Sequence, residues 1–330
     1  MPTFDRVDAA SKQALLALHQ ELPGGLNRIP DLARRREIAA CLDQRHRTAF
    51  SDRLSVEDVT ITATAGHAIP LRLYRPRAHR PRMPVIFFIH GGGMIMGTLD
   101  GGDTVAGRLG LACGALVVSV DYRLAPEHPY PAGLDDCVDA LAWATANAES
   151  LGADPHRVVV FGGSAGGGLA LATALRCRDA DGPQVLLVMA PYPMIDHTSA
   201  SDSARRLPDL GVWDRSNNIE AWRWYLGDRP ADGCASPAHA QQLAGLPPVF
   251  IDVGSEDIFL DESVTFSLRL AAAGVLTELH VYPGAYHASE ELAPDAPLSR
   301  TIWAARLAAL RRALGAAPPG PEPVAAPSTS

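Results

Sequence analysis

The feature that most restricts this chain is a rhythm of short, almost wholly apolar runs separated by helix-length stretches. The runs fall at residues 85–89, 115–120, 158–161, 185–189, 249–253 and 279–282. A strand covered on one face alternates apolar and polar residues, whereas a strand covered on both faces does not. Between most of the runs lie helical stretches, at 134–148, 165–177, 262–273 and 300–314. Buried strands alternating with helices predict an α/β protein, a parallel sheet wound on both faces.

The rest of the chain departs from this rhythm in three places. Residues 1 to about 50 read as amphipathic helix, with Leu15, Leu18 and Leu22 at helical spacing. Pro23-Gly24-Gly25 breaks that segment, and a second helix is predicted from about 31 to 41. The stretches 56–62 and 71–74 read as short strands near a sheet edge. From 192 to 247 no buried strand is evident, and Trp213, Trp222 and Trp224 fall there; an insertion at the carboxyl edge of a sheet suits a lid. Three clustered tryptophans suit the core of such a lid better than a ligand box.

With 330 residues, the chain can bury roughly three quarters of its unfolded surface without a disulfide or metal staple. Its formal net charge of −8 argues against a general nucleic-acid binder. The basic residues are nearly all Arg, with Lys12 the single Lys. The five cysteines, Cys41, Cys113, Cys137, Cys177 and Cys234, include no CxxC pair, which predicts reduced thiols in a cytoplasmic protein. Asp5 and Asp8 stand where a signal peptide needs basic residues, and no apolar stretch reaches 18 residues, so no membrane span is expected.

Two glycine-rich segments follow predicted strands. Gly162-Gly163-Ser164-Ala165-Gly166 is a GxSxG between the run 158–161 and a helix. Small residues two before and two after the serine permit a sharp strand-to-helix turn, and the helix N-terminus offers free N–H groups to negative charge. In isolation the pattern also fits an ordinary glycine-rich turn. His90-Gly91-Gly92-Gly93 follows the run 85–89 and can expose consecutive N–H groups to a substrate oxygen. A serine nucleophile needs a base. His287 follows the last predicted strand and a predicted turn at Pro283-Gly284, which puts it at the same sheet edge. Asp257 reaches that edge too, with Glu256, Asp261 and Glu262 as rivals; helix capping accounts for Asp261 and Glu262.

With these pieces in view, the chain resembles the bacterial hormone-sensitive-lipase-like esterases (family IV carboxylesterases) of the α/β-hydrolase superfamily. The matching motifs are the HGGG at His90, Asp121-Tyr122-Arg123-Leu124-Ala125-Pro126-Glu127, the GGSAGG at 162–167, Asp257-Ile258-Phe259-Leu260-Asp261-Glu262, and Tyr282-Pro283-Gly284-Ala285-Tyr286-His287. The resemblance implies a mostly parallel eight-stranded sheet with helices on both faces and a helical cap. It implies Ser164 as nucleophile, Asp257 as acid, His287 as base, and an oxyanion hole of the Gly92, Gly93 and Ala165 N–H groups. The expected division is an N-terminal cap segment 1–50, core 51–191, cap insertion 192–247, core 248–315 and a disordered tail 316–330.

Met94 and Ile95, with Met96, are expected to line the acyl pocket, ordinary core packing being the alternative; Tyr192 and Trp213 are further candidate substrate contacts. The segment 121–127 is expected to be scaffold beneath the HGGG loop. A small-molecule carboxylic ester is the expected substrate, short to medium in chain length, with no metal and no organic cofactor. A homodimer through the last strand is implied by the resemblance alone. Three departures stand out: Gly163 replaces the usual Asp, Ala288-Ser289 replaces the usual Gly-Phe, and Ile258-Phe259 follows Asp257. A binding or regulatory protein, and a biosynthetic acyltransferase or cyclase, are the other readings of the same scaffold.

Overall fold

A computed structural model describes residues 4–46, 52–78 and 81–315. The predicted tail 316–330 lies outside the described residues. Eight strands form one sheet: β1 (Leu54–Thr62), β2 (Ala68–Pro76), β3 (Met83–Ile89), β4 (Leu116–Val120), β5 (Ala153–Gly162), β6 (Leu187–Pro191), β7 (Val249–Glu256) and β8 (Thr277–Tyr286). Their order is β1-β2-β4-β3-β5-β6-β7-β8. The pairs β1/β2 and β2/β4 are antiparallel and the remainder parallel.

Ten α-helices are present among the described residues: α1 (Ala9–Glu21), α2 (Leu32–His46), α3 (Leu99–Cys113), α4 (Ala132–Ala146), α5 (Ala165–Asp179), α6 (Asp202–Arg206), α7 (Arg215–Leu226), α8 (Leu260–Ala272), α9 (Ser289–Leu292) and α10 (Pro297–Leu314). Strand β3 shows why the apolar runs lack alternation. Val85, Phe87 and Ile89 join the core under α4, α5 and α8, while Ile86 and Phe88 join the core under α3 and α10. Successive side chains point to opposite faces, and both faces are covered.

The chain leaves β3 toward β4 on one side, then crosses to β5 on the other. The loops after β3 and β5 therefore part at the carboxyl edge and open a crevice between them, the usual ligand position in such sheets. Those two loops carry the HGGG and GxSxG segments.

The structure corrects three sequence expectations. Helix α3 was unforeseen, because Gly101, Gly102, Gly107 and Gly110 weaken its helical propensity. It is fixed at its ends instead: the Thr98 hydroxyl accepts from Gly101 N (3.1 Å), and Gly114 closes it in the left-handed conformation. Strand β8 runs through the predicted turn at Pro283-Gly284, with the irregularity absorbed where β7 shifts register between Gly254 and Glu256. The tryptophans 213, 222 and 224 do not share one role. Trp222 is buried against Tyr225, Trp224 is partly buried, and Trp213 faces the crevice.

No described helix is long and apolar enough to cross a membrane. Gly166 is a tight point of the frame: a β-carbon there would lie 2.1 Å from Ile89 O and 2.7 Å from His90 O. Gly166→Ala must therefore push the end of β3 away. We expect it to cost about 1–3 kcal/mol of stability, read as a lower urea midpoint. An unchanged midpoint would contradict this packing.

Candidate active site

Ser164 stands at the turn from β5 into α5 with φ 58° and ψ −123°. A residue with a side chain is strained there by about 1–3 kcal/mol. Its surroundings hold it: Ser164 N donates to Pro191 O (3.0 Å), and Ser164 O accepts from Gly167 N, Gly168 N and Met194 N. The strain points the hydroxyl out of the turn and into the crevice.

His287 follows directly on β8. Ser164 Oγ–H donates to its Nε2 at 2.9 Å, and its Nδ1–H donates to Asp257 Oδ2 at 2.9 Å. Asp257 Oδ1 in turn accepts from Phe259 N (3.0 Å). Tyr192 and Phe259 meet the imidazole edge-on, with centroids at 4.9 and 5.2 Å. Carboxylate and rings together fix one tautomer and one orientation.

The rival acids are engaged elsewhere. Glu256 pairs with Arg6 (3.1 Å) and Ser255. Asp261 accepts from Ser203 N, and Glu262 accepts from Ile195 N and Asp196 N. Capping of their own helix is therefore not what Asp261 and Glu262 do. Helix α8 lies against the chain after β6 and satisfies that chain's N–H groups.

The HGGG loop lies beside this turn; a β-carbon on Gly91 would sit 3.1 Å from Gly163 O. Gly92 and Gly93 have φ of 108° and 64°, which only glycine adopts easily. Gly92 O accepts from Ile95 N and Met96 N, folding the loop tightly. Among the described residues the N–H groups of Gly92 and Gly93 have no backbone carbonyl partner. Ala165 N–H precedes the first hydrogen bond of α5. Three N–H groups without backbone partners thus lie on the loop and turn that flank Ser164, the last at a helix N-terminus, where negative charge is favoured.

The segment 121–127 supports this loop from beneath. Tyr122 stacks on His90 (4.3 Å between centroids) and donates to His90 O, and Ala125 N donates to Met94 O. Arg123 grips buried Asp136 through two nitrogens. Arg36 of α2 binds Glu127, Ile95 O and Ala125 O together. Asp121 and Glu127 do not line the crevice.

Behind His287 lies a buried charge network. Arg306 binds Asp252 through Nε and Nη2 (2.6 and 2.8 Å) and Glu290 through Nη1 (2.6 Å), and Tyr192 OH donates to Glu290 Oε1 (2.7 Å). Gly163 belongs to the same corner, since a β-carbon there would meet the Tyr192 ring at 3.3 Å. An aspartate at 163 would crowd a hydroxyl that already has its carboxylate.

The cleft over Ser164 has a volume of about 250 Å³. Tyr192, Trp213 and Met96 line it; Met94 and Ile95 do not. The tight turn at Gly92 directs Ile95 into the core, and Met94 Cε lies 3.5 Å from where Gly168 would carry a β-carbon. The sequence reading missed Phe88, Phe161 and Val105, which line the cleft together with Gly101 and Gly102. Two adjacent glycines at the start of a helix were the available signal. The one group of described residues able to hold a metal ion is Asp196, His197 and His239, with ligand atoms within 4.8 Å of one another. It does not line this cleft.

Known proteins share the fold and much of the sequence. The α/β hydrolase fold family matches residues 86–290. Carboxylesterase NlhH of Mycobacterium tuberculosis is 37% identical over 269 residues, covering 80% of this chain and 84% of that protein. An ethyl acetate hydrolase of Pseudomonas putida is 32% identical, covering 70% and 74% respectively. The structure of a bacterial heroin esterase superposes with a TM-score of 0.87 at 33% identity, over 94% of this chain and 99% of that one.

His90 gives a pH-dependent test of the loop. Its burial lowers its pKa from 6.5 to about 4. Between those values the unfolded chain binds a proton that the folded chain does not, so stability falls as pH drops through that window. His90→Gln should reduce the loss of urea midpoint between pH 7 and pH 5; an identical loss would contradict the neutral, buried assignment.

Proposed function

The chain belongs to the α/β hydrolase fold family, in its hormone-sensitive-lipase-like group of esterases, and from that membership we propose a two-step acyl transfer centred on Ser164. The protein is a carboxylic ester hydrolase. The observation that carries the mechanism is the continuous chain Ser164 Oγ–His287 Nε2 and His287 Nδ1–Asp257 Oδ2, each link 2.9 Å.

In the first step His287 Nε2 takes the Ser164 proton as Oγ attacks the ester carbonyl. The C=O electron pair moves onto oxygen, which the Gly92, Gly93 and Ala165 N–H groups stabilise. Asp257 stabilises the imidazolium that forms. The tetrahedral species collapses, the ester C–O bond breaks, and His287 returns its proton to the leaving alcohol. Water then adds to the acyl-enzyme with His287 again as base. The carboxylic acid leaves, and Ser164 recovers its proton.

The cap in this reading is α1 and α2 together with the insertion 192–247, whose Val212 and Trp213 reach the cleft. Short-to-medium acyl chains fit a covered cleft of this volume, and the kinship with an ethyl acetate hydrolase supports the short end. A cytoplasmic setting agrees with five free cysteines. A homodimer would use the outer edge of β8, near exposed Leu276 and Val281.

Ser164→Ala should lower kcat by about 10⁶ without unfolding the protein. Near-normal ester hydrolysis by that variant would remove the assignment. Across p-nitrophenyl acetate, butyrate, octanoate and palmitate, kcat/KM should peak before octanoate; a maximum at palmitate would contradict the acyl-length reading.

A further inference from the structure

Acidic charge enters the cleft wall at one place. Among its lining residues Glu291 alone carries a carboxylate, and His90 and His287 are the only other titratable side chains besides Tyr192. Its neighbours hold a cation between them. Glu290 and Asp252 both bind Arg306 at 2.6 Å. Glu291 Oε1 lies 3.2 Å from the Tyr192 hydroxyl oxygen, whose proton goes to Glu290, and Glu291 has no ion pair within 4 Å among the described residues. Arg108, the other guanidinium within electrostatic reach of Glu291, stacks on Trp303 (4.5 Å) and does not line the cleft.

A carboxylate without a direct counter-ion, exposed beside a largely apolar cleft, attracts a cation, most strongly at low salt. Glu291 lines the cleft and is exposed to solvent, and its carboxylate adds negative charge next to that of Glu290. A bound cation relieves that unfavourable charge. Aromatic faces strengthen such sites for alkylammonium groups, and Tyr192 and Trp213 share the same cleft.

We propose that Glu291 forms a cation subsite beside the catalytic serine, selecting esters that carry an ammonium group. This deepens the esterase reading and rests on it. Geometry puts the subsite near the reacting atoms: Tyr192, whose hydroxyl oxygen lies 3.2 Å from Glu291, meets the His287 ring at 4.9 Å, and His287 meets Ser164 at 2.9 Å. The ammonium sits against the carboxylate while the ester carbonyl faces Ser164. The sequence marks the place too. Ala288 and Ser289 stand where the related esterases usually continue Gly-Phe, so the usual aromatic residue is missing two positions before Glu291.

The test uses two esters of one shape and different charge, butyrylcholine and 3,3-dimethylbutyl butyrate, at pH 8 and low salt. The wild type should favour the cation by about tenfold in kcat/KM, and Glu291→Gln should bring that ratio near one. Glu291→Asp should keep part of the preference. A wild-type ratio near one, or a ratio that Glu291→Gln leaves unchanged, would overturn the subsite while the esterase reading stands on the neutral ester. Should neither ester react, calorimetric titration with tetramethylammonium decides the subsite alone. Binding lost in Glu291→Gln supports it, and no binding, or binding that survives that change, overturns it.

Discussion

The close approach of the Ser164 turn to the end of β3 is the constraint on which the site depends. Gly162 and Gly166 have no room for a side chain, because Gly166 O, Ile89 O and His90 O would each lie within 3.0 Å of a β-carbon. That contact brings the HGGG loop and the nucleophile side by side. It also forces the positive φ of Ser164, which points the hydroxyl at His287 and sets Ala165 N–H at the start of α5. The proposed nucleophile and oxyanion donors thus follow from one packing contact rather than from separate adjustments.

The second half of the site is held by buried charge. Arg306, Asp252 and Glu290 are each no more than 2% exposed, and Tyr192 links them to the His287 ring. Removing Arg306 would leave two carboxylates uncompensated in the interior, and breaking a buried pair in this way typically costs about 3–5 kcal/mol. The network therefore ties α10, β7 and α9 to the imidazole and limits its movement. Arg36 makes a comparable tie on the other side, from α2 to the carbonyls beside the HGGG loop. The N-terminal helices are joined through it to the oxyanion donors.

The frame was legible because its signals are local. Runs such as 85–89 are apolar on both faces, and GxSxG after a strand specifies a turn, so the sheet and the places of Ser164, Asp257 and His287 could be read in advance. What escaped depends on neighbours that are distant in sequence. Helix α3 forms in spite of its glycines because Gly102 must fit against Phe88, which no local propensity reports. Met94 and Ile95 differ from Met96 only by the direction of a turn closed on Gly92 O. Glu262 looked like a helix-start residue, but its partners are the N–H groups of Ile195 and Asp196. Glu291 gained its meaning only when Glu290 was found bound to Arg306.

The central claim is that Ser164 is made nucleophilic by His287. A fluorophosphonate probe tests this most directly, since it bonds covalently to a serine oxygen that is both exposed and activated. Peptide mass mapping should find one phosphonyl adduct per chain, on Ser164, and His287→Ala should slow its formation by about 10³ or more. An adduct on another residue, or His287→Ala protein labelling at the wild-type rate, would contradict the account.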